Sequence, residues 1–259
     1  MRLIALALLM STAAVAEERP LSYSRPIEKA DLDGRSLREL TLLRNWIFAK
    51  RGNVFRRPWL KAYFHEVPWY HEREPLSTEG LAPKEVELDD QNALVIAEYE
   101  SALTPEQLGS MRNAARQKLR ARSTERRTVW DDDEVELRLL SVRLGGWAGE
   151  GPRPADLTPL ENPERLDTLL KLSDLDGLSG RDLKLLRNTV FAKHGRPFVT
   201  ELVKGHFKTV TWYKADEKYS DALLTDVDKK NVKLIVSLEE KLKRPVAKKA
   251  PPDGWYGAA

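Results

Sequence analysis

Between Leu37 and Arg51 apolar residues recur at helical spacing. At about 100° per residue, Leu40, Leu43 and Ile47 form one stripe, and Arg44 falls inside that arc. Leu42, Asn45 and Ala49 lie on the other side. Ahead of the run, Ser36 and Glu39 have the spacing of a capping box, in which the hydroxyl accepts from the third helical amide and the carboxylate reaches back to the cap amide. Gly52 stands where a left-handed C-terminal cap is wanted. The pattern predicts a helix of about four turns over 37–51. It returns with Ser179, Asp182 and Gly195, which predict a second such helix over 180–194.

These two stretches belong to a longer duplication. Residues 31–70 align without a gap to residues 174–213, with 21 of 40 positions identical, so the chain holds two units of one fold. Leu42, Asn45 and Ala49 are identical between the copies, as are Leu40, Leu43 and Arg44. A helix constrained around most of its circumference is expected to be central and enclosed. Thr41/Lys184 and Trp46/Thr189 differ most and mark its outward directions. Arg44, Arg187, Asn45 and Asn188 are then at least partly buried and must find hydrogen-bond partners. After the glycine, Phe55 or Phe198 leads into a short helical stretch ending at Phe64 or Phe207, followed by Trp69-Tyr70 or Trp212-Tyr213. A third helix is anchored by Asn92, Ile96 and Glu100, matched by Asn231, Ile235 and Glu239.

The stretch between the copies has no twin. Thr104-Pro105-Glu106-Gln107 combines a cap, a first-turn proline and a capping acceptor, and opens a helix. From Met111 to Arg127 it carries Arg112, Arg116, Lys118, Arg120, Arg122, Arg126 and Arg127 against Glu125. Without an aromatic face this reads better as a solvated surface than as a membrane-surface helix. Glu134 to Leu144 is a helix or a strand; periodicity does not separate them. Gly145, Gly146, Gly149, Gly151, Pro152 and Pro154 read as a linker, and Pro245 to Ala259 as a disordered tail. The expected fold is mainly α: two small repeated helical modules, joined by a partly helical connector and a Gly/Pro-rich linker. The boundaries are 1–16 signal peptide, 17–30 lead, 31–101 first module, 102–144 connector, 145–169 linker, 170–244 second module and 245–259 tail.

Composition narrows the function. A net charge of +3 from 43 basic and 40 acidic residues argues against a nucleic-acid partner. Arg2, the apolar run Leu3 to Met10 and Ala14-Val15-Ala16 have the form of a cleaved secretory signal, and no segment approaches transmembrane length. The expected location is secreted or periplasmic. With no cysteine, disulfides and thiolate metal sites are excluded. The repeated Asp-Leu-Asp-Gly lacks the spacing of a calcium loop, since the twelfth positions hold Leu42 and Leu185, and it reads as a turn before a helix. No metal and no cofactor is expected.

The residues Phe48-Ala49-Lys50-Arg51-Gly52 and Phe191-Ala192-Lys193-His194-Gly195, with Leu-Arg-Asn before them and Trp-Tyr after, resemble the YARHG domain. Phe replaces Tyr in both copies, and Arg51 replaces His in the first. The resemblance covers roughly residues 31–101 and 170–242. It implies an exported bacterial protein with an envelope association and no established chemistry. Four histidines, His65, His71, His194 and His206, face Lys208, Lys214, Arg51 and Tyr63 at their partner positions, so a catalytic base common to both copies is excluded. No catalytic residue is assigned. The candidate ligand-binding residues are Arg44, Asn45, Lys50, Trp69 and Tyr70, with Arg187, Asn188, Lys193, His194, Trp212 and Tyr213. Aromatic faces stack on sugar rings, and Arg or Lys pairs with carboxylates such as those of wall peptides. The leading reading is a non-enzymatic binding or scaffolding protein whose partner is peptidoglycan or another envelope component. A hydrolase with a site around His194, Lys193 and Arg187, and an adaptor using Trp46 or the basic helix, stay open.

Overall fold

The computed structural model describes residues 19–74, 77–121 and 131–242. The expected signal peptide, the basic residues Arg122, Arg126 and Arg127, and the expected tail from Pro245 lie outside the described residues. Among the described residues the chain is helical, without strands. The first module comprises α1 (Lys29–Leu32), α2 (Leu37–Lys50), α3 (Pro58–His65) and α4 (Pro83–Ala102). The connector supplies α5 (Pro105–Ala121) and α6 (Asp132–Leu144). The second module repeats the first with a 3-10 turn at Leu172–Leu175, then α7 (Gly180–Ala192), α8 (Glu201–Phe207) and α9 (Asp226–Lys241).

Local chemistry sets these boundaries. Ser36 Oγ accepts from the Glu39 amide while Glu39 accepts from the Ser36 amide, and Ser179 with Asp182 does the same. Gly52 and Gly195 adopt φ of +77° and +82°. Their amides close on the Ala49 and Ala192 carbonyls, which ends α2 and α7. Thr104 and Gln107 cap α5 reciprocally, at 2.9 and 3.3 Å.

The middle helix is enclosed in both copies. In α2, Leu37, Leu40, Leu42, Leu43, Arg44, Asn45, Ile47, Phe48 and Ala49 are all buried. It packs against α4 and α6, and α7 packs against α9. One expectation is corrected. Thr41 and Thr189, assigned to outward directions, are buried. The coverage from α4 and α6 leaves α2 little free surface, and Thr189 turns its hydroxyl back to the Leu185 carbonyl at 2.9 Å. Trp46 is half-buried, against Tyr63, Phe64 and Trp69.

The cores show why the connector is helical. Leu108 and Ala115 of α5 and Leu137 and Leu140 of α6 join Leu32, Leu40, Leu43 and Ile96 in one buried cluster. Val135 of α6 belongs to a second, with Leu42, Phe55, Trp59, Phe64 and Tyr70. The third cluster, in the second module, runs from Leu160 and Leu166 through Leu183, Leu186 and Phe207 to Ile235. The Gly/Pro-rich linker is therefore packed along much of its length, with Ala148, Leu157, Leu160 and Leu166 buried.

Candidate functional site

The duplication repeats individual hydrogen bonds as well as helices. Asn92 Oδ1 accepts from the Ile27 amide at 2.8 Å, and Asn231 Oδ1 from the Leu170 amide at 2.9 Å, so each third helix clamps the segment that leads into its module. Asn45 Nδ2 donates to the Thr41 carbonyl and Asn188 Nδ2 to the Lys184 carbonyl, both at 2.8 Å. The tyrosines of the Trp-Tyr pairs donate to the main chain after the glycine, Tyr70 to Asn53 and Tyr213 to Arg196. Around them Phe55 stacks on Phe64 at 4.4 Å and Phe198 on Phe207 at 4.6 Å. Asp31 and Asp174 accept from the Glu28 and Lys171 amides and so cap the short helical turns that hold them, and the Arg35 and Leu178 amides then donate to the Leu32 and Leu175 carbonyls across the Asp-Gly turn before each middle helix.

The charged candidates are paired, and the copies diverge there. Arg44 is 2% exposed and bonds Glu100, whereas Arg187, with a side chain 31% exposed, bonds Glu239 at 3.0 Å. Lys50 faces Asp89 at 3.2 Å and Glu85 at 3.3 Å, while Lys193 pairs with Asp167. Burial raises the Asp89 carboxyl, and Lys50 opposes that rise. His194 Nε2 lies 2.9 Å from Asp228 Oδ2, an oxygen that also accepts from the Thr225 amide and hydroxyl and so caps α9. Burial would raise the Asp228 carboxyl, but the Thr225 and His194 bonds hold it below its usual range. The structure thus distributes Arg44, Asn45 and Tyr70 to the interior, Lys50 and Lys193 to partly exposed ion pairs, and His194 to a hydrogen bond with Asp228. They do not line one common cleft. A recess of about 230 Å³ lies elsewhere, between α5, α6 and residues 147–154, and Trp147, Arg116 and Glu150 are among its walls.

The tryptophans are a different matter. Trp69 is 44% exposed and meets Trp46 edge-on, with ring centroids 5.2 Å apart. Tyr63 completes the patch, 6.5 Å from Trp46. In the second module Thr189, His206 and Trp212 occupy the same three positions, and this face is docked. Trp212 Nε1 donates to the Gly145 carbonyl at 2.7 Å, Thr209 Oγ1 to the Arg143 carbonyl at 2.8 Å, and the Thr211 amide to the Leu144 carbonyl at 3.2 Å. α4 approaches α8 so closely that a Cβ on Gly205 would come within 2.6 Å of the Ser101 carbonyl oxygen. The counterparts Glu66 and Val67 are exposed and half-buried, where Thr209 and Val210 are buried.

Sequence reasoning missed the ionic junction between the modules. Arg57 of α3's N-terminal edge holds Asp182 of α7 through both carboxylate oxygens, and Arg56 Nε donates to the Leu178 carbonyl at 2.7 Å. Burial would raise the Asp182 carboxyl, but Arg57 and the Ser179 bonds hold it below its usual range. Arg181 reaches Glu100 at 3.1 Å. The only signal for these contacts was the appearance of arginines and acids where a buried helix begins or ends.

Among the described residues no helix is long and apolar enough to cross a membrane. No curated protein and no solved structure matches the chain. The family model of the YARHG domain matches residues 17–102 and again 159–240. With more than half of its length matched in two places, and with the same bonds built in both, the chain belongs to the YARHG domain family and carries two tandem copies of that domain.

Proposed function

We propose that this is an exported, non-enzymatic binding or scaffolding protein of the bacterial cell envelope, in which the first module faces the ligand. YARHG domains occur in exported proteins, which supports the location. A cleaved signal over residues 1–16 would deliver it to the periplasm or the exterior. One observation carries the binding reading: Trp69 of the first module is 44% exposed beside the half-buried Trp46 and Tyr63, whereas in the second module Thr189 and His206 are buried and Trp212, though 36% exposed, is tied through its indole to the Gly145 carbonyl. Indole and phenol faces suit the rings of a glycan such as the peptidoglycan strand. Retention on purified sacculi over a salt series tests this. The wild-type chain should be held at low and moderate salt, and Trp69→Ala should be washed off while keeping its melting temperature. Equal retention of the two proteins, or none of either, would count against it.

A second reading, hydrolysis in the second module, draws on the His194 and Asp228 pair, which resembles an oriented general base. Turnover that survives His194→Ala unchanged removes it.

A further inference from the structure

The recess of about 230 Å³ between α5, α6 and residues 147–154 lies outside both regions that the YARHG model matches, so it belongs to this chain and not to the repeated domain. Leu119 of α5, Leu137 of α6, Trp147, Pro152 and Pro154 give it apolar walls. Arg116, Arg120, Glu134 and Glu150 stand between them, two guanidinium groups against two carboxylates, so the walls carry no net charge. The Trp147 side is fixed in place. Arg116 Nε donates to the Ala148 carbonyl at 2.8 Å and its Nη2 to the Gly149 carbonyl at 2.9 Å, which ties this segment to α5. The Ala148 amide donates to Ser141 Oγ of α6 at 2.9 Å. The indole lies against the Gly149 backbone, where a Cβ would come within 2.0 Å of the ring. Arg120 and Glu150 close on each other through both carboxylate oxygens, while their side chains stay 67% and 40% exposed on the solvent side of the recess.

We propose that this recess binds a single neutral sugar ring. Its volume falls just short of the range of about 300–1,000 Å³ usual for small-molecule sites, which suits one ring. A purely apolar ring would fit the Trp147 wall but strip water from four charged side chains and return no hydrogen bond to them. A sugar meets both demands. Its C–H face covers the indole and the prolines, and its hydroxyls, each a donor and an acceptor, replace water on the guanidinium and carboxylate groups. A charged sugar gains nothing from walls whose charges already offset one another, and it gives up its own hydration. Because α5 and α6 hold the Trp147 segment before any ligand arrives, binding adds little ordering cost. The pocket shares no residue with the Trp46, Tyr63 and Trp69 face, so it stands whether or not that face takes a glycan.

The ¹⁵N-labelled full chain is titrated with methyl α-D-glucopyranoside, with the indole N–H signals assigned through Trp147→Phe and Trp69→Phe. The Trp147 signal should move and saturate with a single midpoint. Glucuronate, the same ring with a carboxylate, and benzyl alcohol, an apolar ring, should both saturate at higher concentration or not at all. Replacing the exposed pair together, Arg120→Ala with Glu150→Ala, should raise the glucoside midpoint about tenfold or more, as expected for lost hydrogen bonds to charged groups. A Trp147 signal that does not move overturns the proposal, and so does a midpoint unchanged in the double variant. A lower midpoint for benzyl alcohol or glucuronate overturns it as well, by assigning the recess to an apolar or an anionic ligand. The Trp69 signal reports on the aromatic face in the same titration, so failure of this pocket is told apart from failure of that face.

Discussion

Replacing Glu100 with Gln removes the carboxylate that Arg44 and Arg181 share while keeping the shape of the side chain. The duplication supplies its own control, since Glu239 pairs with Arg187 in the second module at the equivalent place. In the first pair the side chains are 2% and 7% exposed; in the second they are 31% and 15% exposed. Breaking a buried pair strands the surviving charge and costs about 3–5 kcal/mol. An ion pair still in contact with water contributes about 1 kcal/mol or less. Glu100→Gln should therefore cost some 2–4 kcal/mol more than Glu239→Gln, by the difference of those two ranges. Urea unfolding midpoints in phosphate-free buffer measure both, with the slopes checked for equality so that midpoints convert to free energy. Adding Arg181→Gln to Glu100→Gln should recover part of the loss, because it removes one of the two cations that the carboxylate had faced. Equal costs for the two single variants, or a double variant worse by the full sum, would refute the burial argument.

Two further substitutions probe the caps and the connector. Gly52→Ala and Gly195→Ala would place a Cβ in a left-handed conformation and within 2.6 Å of Arg73 Cβ and 2.9 Å of Asp216 Cβ, so each should cost about 1–3 kcal/mol in urea unfolding. Gly180→Ala, in the first turn of α7 with open space around it, should be neutral or slightly stabilising, and a loss as large as at Gly52 would contradict the geometry. Glu136 of α6 accepts from the Leu37 and Arg38 amides at 3.0 and 2.7 Å, and burial pushes its carboxyl up to about 7. A raised carboxyl binds its proton more tightly in the folded state, so its contribution is favourable at low pH and is lost as pH climbs from the usual carboxylate range through 7. Relative to wild type, Glu136→Gln should gain on the order of 2–3 kcal/mol between pH 5 and pH 8. Parallel pH profiles of the two proteins would show that Glu136 is already ionised without penalty.

What could be read from the chain alone was what depends on neighbours in sequence. Ser36 with Glu39, Ser179 with Asp182 and Thr104 with Gln107 each close within three residues, and Gly52 and Gly195 act on the helix they end. Helix α6 was ambiguous because it lies between two cores: Val135 enters one, Leu137 and Leu140 the other, which blurs any single apolar stripe. Arg44 and Arg187 could be singled out as needing partners, yet nothing local distinguishes them. Their different burial comes from Arg181, Arg143 and the docking of α8 on α4, contacts made across tens of residues by segments outside the repeat or in the other copy. Among the candidate site residues, the sequence marked the tryptophans without indicating which one is free.

That asymmetry follows from stacking two like modules head to tail. Each module offers one aromatic face and one third-helix end, and a single contact between modules uses one of each. Here the third helix of the first module meets the α8 face of the second, so the α3 face of the first module is left at the end of the array. The connector covers only part of that end, where Glu136 and Asp132 of α6 meet the start of α2. Were the leftover face merely an unfilled repeat contact, it would be expected to keep the residues that make that contact. It does not: Gly205, which lets α4 approach, is Ala62 there, and Thr209, which donates to a carbonyl, is Glu66. Ala62 blocks the close helix approach and Glu66 repels a carbonyl, while Trp46 and Tyr63 enlarge the aromatic surface where the second module has Thr189 and His206. That face is thus unsuited to a third module, which supports the proposal that it meets a different kind of ligand.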